Sequence, residues 1–138
     1  MRKILLPLFC LIFSFTNAQK VGIGTTNPQA LLHVTDSAVL FTGPVAVPVS
    51  TTFNPPFSGA GVRLMWYPQK AAFRSGYVTG VNWDKDSIGL YSFASGYDTK
   101  ANGNYSTSLG REATASGNYS TSMGYQTTAS GNYSTSMG

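Results

Sequence analysis

Cysteine is almost missing from this chain. The single one, Cys10, lies among the first eighteen residues, and none follows it. A small exported domain normally relies on disulfides, so something else must stabilise this one. Histidine is equally scarce: His33 stands alone in an apolar, strand-like run. One histidine with no cysteine beside it makes no metal site and no Ser-His-Asp arrangement, and a packed or edge-strand role is expected for it. Charged residues are few, nine basic and five acidic. No basic stripe is available to neutralise phosphates, which excludes a nucleic-acid partner. The repeats described below carry no aspartate in every turn, as calcium-binding glycine repeats require. Gly22-Ile-Gly24 lacks the third glycine and the following acidic residue of a dinucleotide fingerprint. No apolar run reaches membrane length either; the longest, "ILLPLFCLIFSF", has 12 residues.

That run has a meaning of its own. Arg2 and Lys3 precede it, and Thr16 and Ala18 follow it as small residues before Gln19. Residues 1–18 read as a secretory signal peptide with a cut after Ala18, so a secreted or cell-surface location is expected. Phe9 before Cys10 is not the small residue that a lipoprotein site needs. Without Arg2 and Lys3 the net charge falls from +4 to +2. Within residues 89–138, Lys100 and Arg111 balance Asp98 and Glu112.

What the chain does have is a repeat. "GNYSTS" occurs three times at one spacing: Gly103, Gly117 and Gly131 are 14 residues apart, as are Tyr105, Tyr119 and Tyr133. A divergent copy, "GLYSFASG", brings in Gly89, Tyr91, Ser92 and Gly96. The copy begun at Gly131 stops at Gly138, before its fourteenth residue, and further repeats are expected beyond it. Fourteen residues rich in Gly, Ser, Thr and Asn cannot make a helix pair. They suit two short strands joined by glycine-containing turns, one coil of a β-solenoid whose neighbours stack about 4.8 Å apart.

The chain before the repeats is less regular. Residues 19–61 read as a β and loop segment: Asn27-Pro28 is a turn signal, "ALLHVT" is β-compatible, and Pro44, Pro48, Pro55 and Pro56 confine residues 43–61 to loops and edge strands. Residues 62–88 hold Leu64, Trp66, Tyr67, Phe73, Tyr77, Val78 and Trp83, and are expected to form a non-repetitive cap on the first coil. Ile88 is placed to pack directly on that coil. Asp84-Lys-Asp-Ser reads as a solvated turn.

Each coil offers little apolar volume: a Leu or Met, a Tyr, a Thr and some Ala. At about 25 cal/mol per Å² of buried apolar area, against roughly 1–2 kcal/mol of backbone entropy per residue, an isolated single-layer roll is unstable. Association with other copies is therefore expected. By volume, Leu109, Met123 and Met137, with Thr107, Thr121 and Thr135, are expected to fill the interior. Ser106, Ser108 and Gly110, with their equivalents, are expected outside or against a neighbouring chain. Tyr91, Tyr105, Tyr119 and Tyr133 should stack one coil apart, either as packing or as a ligand-facing strip.

"ASGNYSTSMGYQTTASG" resembles the head repeat of trimeric autotransporter adhesins, the YadA-like head, through Ala101, Gly103, Ser106, Ser108, Gly110 and Ala113 and again through Ala115, Gly117, Ser120, Ser122, Gly124 and Thr127. The signature continues through Gly89, Ser92, Gly96, Gly131, Ser134 and Gly138. The resemblance implies an all-β fold: a single-layer, left-handed parallel β-roll of 14-residue coils, trimeric, preceded by a small irregular β-rich segment. It also implies an attachment role on a surface fibre. Best-known members carry N-S-V-A-I-G segments linked to collagen binding, and this chain has "YSTSMG" instead. "KVGIGTTNPQALLHV" resembles a segment near the start of secreted Bacteroidetes and phage-tail-like fibre proteins, which often end in an autoprocessing chaperone domain.

The function classes follow. The first is a non-enzymatic secreted or surface fibre head, a homotrimer whose further partner is a host or environmental protein or glycan. The second is a solenoid that binds ice or polysaccharide through Thr, Ser and Tyr ladders, which outward-facing Thr107, Thr121 and Thr135 would favour. A hydrolase would need a catalytic domain that these residues do not supply. No catalytic, cofactor or metal site is assigned. Asn104, Asn118 and Asn132 begin N-Y-S sequons, and Asp36-Ser37-Ala38 and Asp86-Ser87-Ile88 resemble a Bacteroidetes O-glycosylation pattern.

Overall fold

The structure is a computed structural model that describes residues 20–47 and 53–138. The expected signal peptide, residues 1–18, lies outside the described residues. The chain divides between Phe41 and Thr42 into two compact units.

In the first unit, β1 (Val21–Ile23) and β2 (Leu32–Val34) pair in parallel, Val21 opposite Leu32 and Ile23 opposite Val34. The connection between them turns at Asn27-Pro28, where the Asn27 amide donates to Thr25 Oγ1 (3.1 Å). His33 lies on β2, and its Nδ1 accepts from the Gln29 amide at 3.2 Å.

The second unit opens with an antiparallel hairpin. β3 (Gly61–Tyr67) and β4 (Ala72–Val78) are joined by a 3-10 turn at Pro68–Lys70, with Ala71 left-handed at φ 47°. Proline at the start of that turn leaves no amide without a role. Two kinds of strand then alternate: β5 (Phe93–Tyr97), β6 (Lys100–Ala101), β7 (Thr107–Arg111), β8 (Thr114–Ala115), β9 (Thr121–Tyr125), β10 (Thr128–Ala129) and β11 (Thr135–Met137). The longer strands form a six-stranded sheet in the order β11-β9-β7-β5-β4-β3, and the short ones a three-stranded sheet, β10-β8-β6. Phe93 stands opposite Thr107, Thr107 opposite Thr121 and Thr121 opposite Thr135. Every partner lies 14 residues on, so each coil is one long strand, one short strand and two corners of a β-solenoid.

The first coil departs from this period. Phe73 pairs with Phe93, twenty residues on, and the six extra residues make room for Trp83 and a 3-10 turn at Lys85–Ser87. Trp83 is fully buried with Met65, Tyr67, Ala72, Val78 and Ile88, and its Nε1 donates to the Thr99 carbonyl at 2.8 Å. Of the aromatic anchors expected here, Tyr67 and Trp83 are inside. Leu64, Trp66 and Tyr77 are exposed and Phe73 is half-buried, because alternation along β3 and β4 sends them to the opposite face. Met65, unremarked in sequence, takes an interior position. Asp84 is more than a solvated turn residue, since its Oδ1 accepts from the Gly59 amide at 2.7 Å.

The expected orientation of the repeat strands is reversed. Ser106, Ser108, Ser120 and Ser122 are the buried residues, together with Ala94, Ala101, Ala113, Ala115 and Ala129. Met123 is 39% and Met137 71% exposed, Leu109 is half-buried, and Thr107, Thr121 and Thr135 lie on the same outer face. Only Gly110 and its equivalents stay partly outside as expected. The reason is thickness. Two backbones joined by tight corners lie too close to admit Leu or Met between them, and a close-packed interior rejects excess volume. Ala and Ser fit, and the hydroxyls are satisfied inside: Ser108 Oγ donates to the Ala113 carbonyl (2.7 Å), and Ser122 Oγ pairs with Thr127 Oγ1 (2.8 Å). Around the short strands Ala113 and Ala115 are buried, Thr114 is half-buried and Ser116 is exposed.

Candidate functional surface

The repeat glycines set the coil spacing. Gly96, Gly110 and Gly124 adopt φ of 128°, 112° and 127°, and a Cβ on Gly110 would strike the carbonyl of Gly124 in the next coil. Gly89, Gly103 and Gly117 sit at one corner, each packed against the backbone of the next glycine of the row. Ser92, Ser106, Ser120 and Ser134 close that corner, each donating from Oγ to the carbonyl three residues earlier at 2.6–2.7 Å. The signature residues are thus the corner and its spacing.

Next to them stand the tyrosines. Tyr91, Tyr105, Tyr119 and Tyr133 are left-handed, with φ between 55° and 60°. That conformation costs a non-glycine residue roughly 1–2 kcal/mol and is foreign to bulky side chains. Backbone bonds between coils hold it: the amides of Tyr105, Tyr119 and Tyr133 donate to the carbonyls of Leu90, Asn104 and Asn118 at 2.7–2.8 Å. The rings stack with centroids 4.8, 4.8 and 5.0 Å apart and interplanar angles of 13°, 1° and 4°. Each such pair returns about 0.5–1.5 kcal/mol. The rings are nonetheless exposed, from 44% at Tyr91 to 77% at Tyr133.

An asparagine row runs beside them, at positions that stand out in the sequence only as sequons. Asn118 Oδ1 accepts from the Asn104 amide, Asn132 Oδ1 from the Asn118 amide, and Asn104 Oδ1 from the Leu90 amide, all at 2.9–3.0 Å. The 14-residue identity of these positions was the available signal. The opposite corner is also left-handed, at Asp98, Glu112 and Gln126. There Gln126 Nε2 donates to Glu112 Oε2 (2.7 Å) and Arg111 Nε to Glu112 Oε1 (3.1 Å), and both bonds hold the Glu112 carboxyl below its usual range.

The outer face of the six-stranded sheet carries three columns. Phe73 and Phe93 stack (5.5 Å, 9°) and are continued by Thr107, Thr121 and Thr135. Ser75 and Ser95, hydroxyl to hydroxyl at 2.8 Å, are continued by Leu109, Met123 and Met137. In the third column Tyr77 and Tyr97 are followed by Arg111, whose guanidinium lies over the rings of Tyr97 (5.1 Å) and Tyr125 (5.4 Å).

Inside the first coil, at the register position of Ala94, Ser108 and Ser122, sits Arg74, fully buried. It donates to the carbonyls of Phe73, Ser92 and Ala101 and to Ser92 Oγ at 2.7–3.0 Å. Burial lowers its pKa to about 10, which still leaves it charged at neutral pH. Sequence reasoning missed this residue, since nothing in its spacing marks it.

Among the described residues no helix is long and apolar enough to cross a membrane, and no three His, Cys, Asp or Glu side chains group as metal ligands. The YadA head domain repeat model matches the chain in two copies, at residues 87–113 and 115–138. No curated protein and no solved structure matches it. The matched residues fold as a β-solenoid, and the match agrees with the resemblance read from the sequence.

Proposed function

From these YadA head repeats, we propose that the chain is a non-enzymatic, surface-exposed or secreted attachment protein that works as a homotrimer. The observation that carries this reading is the distribution of apolar volume. The roll interior holds Ala and Ser, while Leu64, Trp66, Phe93, Leu109, Met123 and Met137 stand on the outer sheet face. An extended apolar face of this kind marks an interaction surface. Three chains that brought these faces together would supply the burial that a single roll lacks. The corners would stay outside, repeating one chemical pattern along a fibre, which suits attachment to an extended partner. Export through residues 1–18 belongs to the same reading, and a phage-tail-like fibre would use the same assembly.

The test is attachment. Beads bearing the purified chain should be retained on at least one surface among collagen, mucin and cellulose, relative to albumin. Met123→Asp, which puts a charge on the assembly face, should abolish the retention. Equal release from all surfaces would contradict the reading.

A second reading has its own support, because the Thr107, Thr121 and Thr135 row faces outward. An ice-binding solenoid would use such a row. Here the Leu and Met column flanks it directly, which favours a protein contact. Thermal hysteresis in a freezing assay would favour ice instead.

A further inference from the structure

The corner formed by Tyr91, Tyr105, Tyr119 and Tyr133 combines properties that packing alone does not require. The backbone there is left-handed at four bulky residues, where asparagine or glycine would sit without strain. Strain that is kept, coil after coil, points to a use for the side chain. The rings are close to parallel, with centroids 4.8–5.0 Å apart, one step per coil. They stay 44–77% exposed, so ring surface is left open along the stack. Beside it, Asn104, Asn118 and Asn132 use Oδ1 for the inter-coil bonds, which leaves each Nδ2 as a donor at the same spacing. The flanking corner residues Asn102, Ser116 and Ser130 are exposed and uncharged.

We propose that this corner is a binding strip for a neutral, extended, β-linked polysaccharide chain. Partly open aromatic faces accept the C–H face of successive sugars. Phenol hydroxyls and carboxamide donors meet the ring hydroxyls, and no charge on the strip selects for an ionic ligand. A straight row at one coil spacing fits a polymer whose sugars advance by a length of the same order. A protein strand could not pair here, since a corner presents no strand edge. The strip is rigid before binding, so little ordering accompanies it. This assignment names a ligand class for the attachment reading and rests on it.

The experiment titrates the purified chain with cellohexaose and with cellobiose, following tyrosine fluorescence. Cellohexaose spans several steps and should bind at least about tenfold more tightly than cellobiose. The double variant Tyr105→Asn, Tyr119→Asn removes two central rings and puts a relaxed residue at each left-handed position. It should weaken cellohexaose binding at least about tenfold, with the melting temperature kept or raised. Absent saturable binding of cellohexaose, or equal binding by the variant, overturns the proposal. So does a variant that no longer folds, because the ring stack would then be structural. Sedimentation of the same samples reports assembly separately: a trimer that ignores cellohexaose would remove this inference and leave the attachment reading standing.

Discussion

At Gly110 the backbone sits at φ 112°, and any Cβ would collide with the Gly124 carbonyl. Gly110→Ala should therefore cost at least about 2 kcal/mol, measured by urea unfolding. Gly80, where a methyl would point into open space, is the comparison, and Gly80→Ala should stay within about 0.5 kcal/mol. Equal effects at the two sites would contradict the stacked-glycine account. Arg74 makes a different prediction. The carbonyls of Ser92 and Ala101 that it caps already accept backbone amides from Phe73 and Gly89, and burial opposes its charge. Arg74→Met keeps the length without the charge, so stability should be unchanged or raised by about 1 kcal/mol. A loss above about 2 kcal/mol would show the guanidinium bonds to matter more than its desolvation. The glycines and the Tyr row were legible in the sequence because a fixed period needs no knowledge of neighbours. Arg74 was not, since its role depends on being at the end of a stack.

Strand and corner placement was legible too, and the two alternating faces of "YSTSMG" were correctly separated. Which face lay inside was not. Alternation defines two faces, but the gap between β7 and β8 decides which side chains fit, and that gap is set by corners whose tightness depends on Ser106 bonding to Gly103 and on left-handed Tyr105 and Glu112. Volume alone argued for Leu109 and Met123 inside, and the thin roll excluded them. Ser108→Leu should accordingly overpack the coil and cost about 1–3 kcal/mol, seen as a lower melting temperature. At the first coil, Trp83 bonds Thr99 and is buried with Ile88. If residues 62–88 cap the array, Trp83→Ala should remove about 3–5 kcal/mol and lower the melting temperature of the whole roll. Loosening confined to residues 62–88, with the repeats melting as before, would refute the cap.

For the whole molecule, the central claim is that a roll filled with Ala and Ser completes its burial through the outer sheet face. The thin apolar content of each coil is what raises the expectation of association in the sequence. The face proposed for it rests on the register that aligns Leu109 with Met123 and Met137 and on their exposure. Columns built from residues 14 apart behave as continuous surfaces, so a single charge in the Leu and Met column should act on the assembly. The most direct measurement is sedimentation equilibrium of the purified chain beside Met123→Asp. The account predicts a trimer for the native chain and a dissociated species for the variant. A folded, monomeric native chain would contradict it.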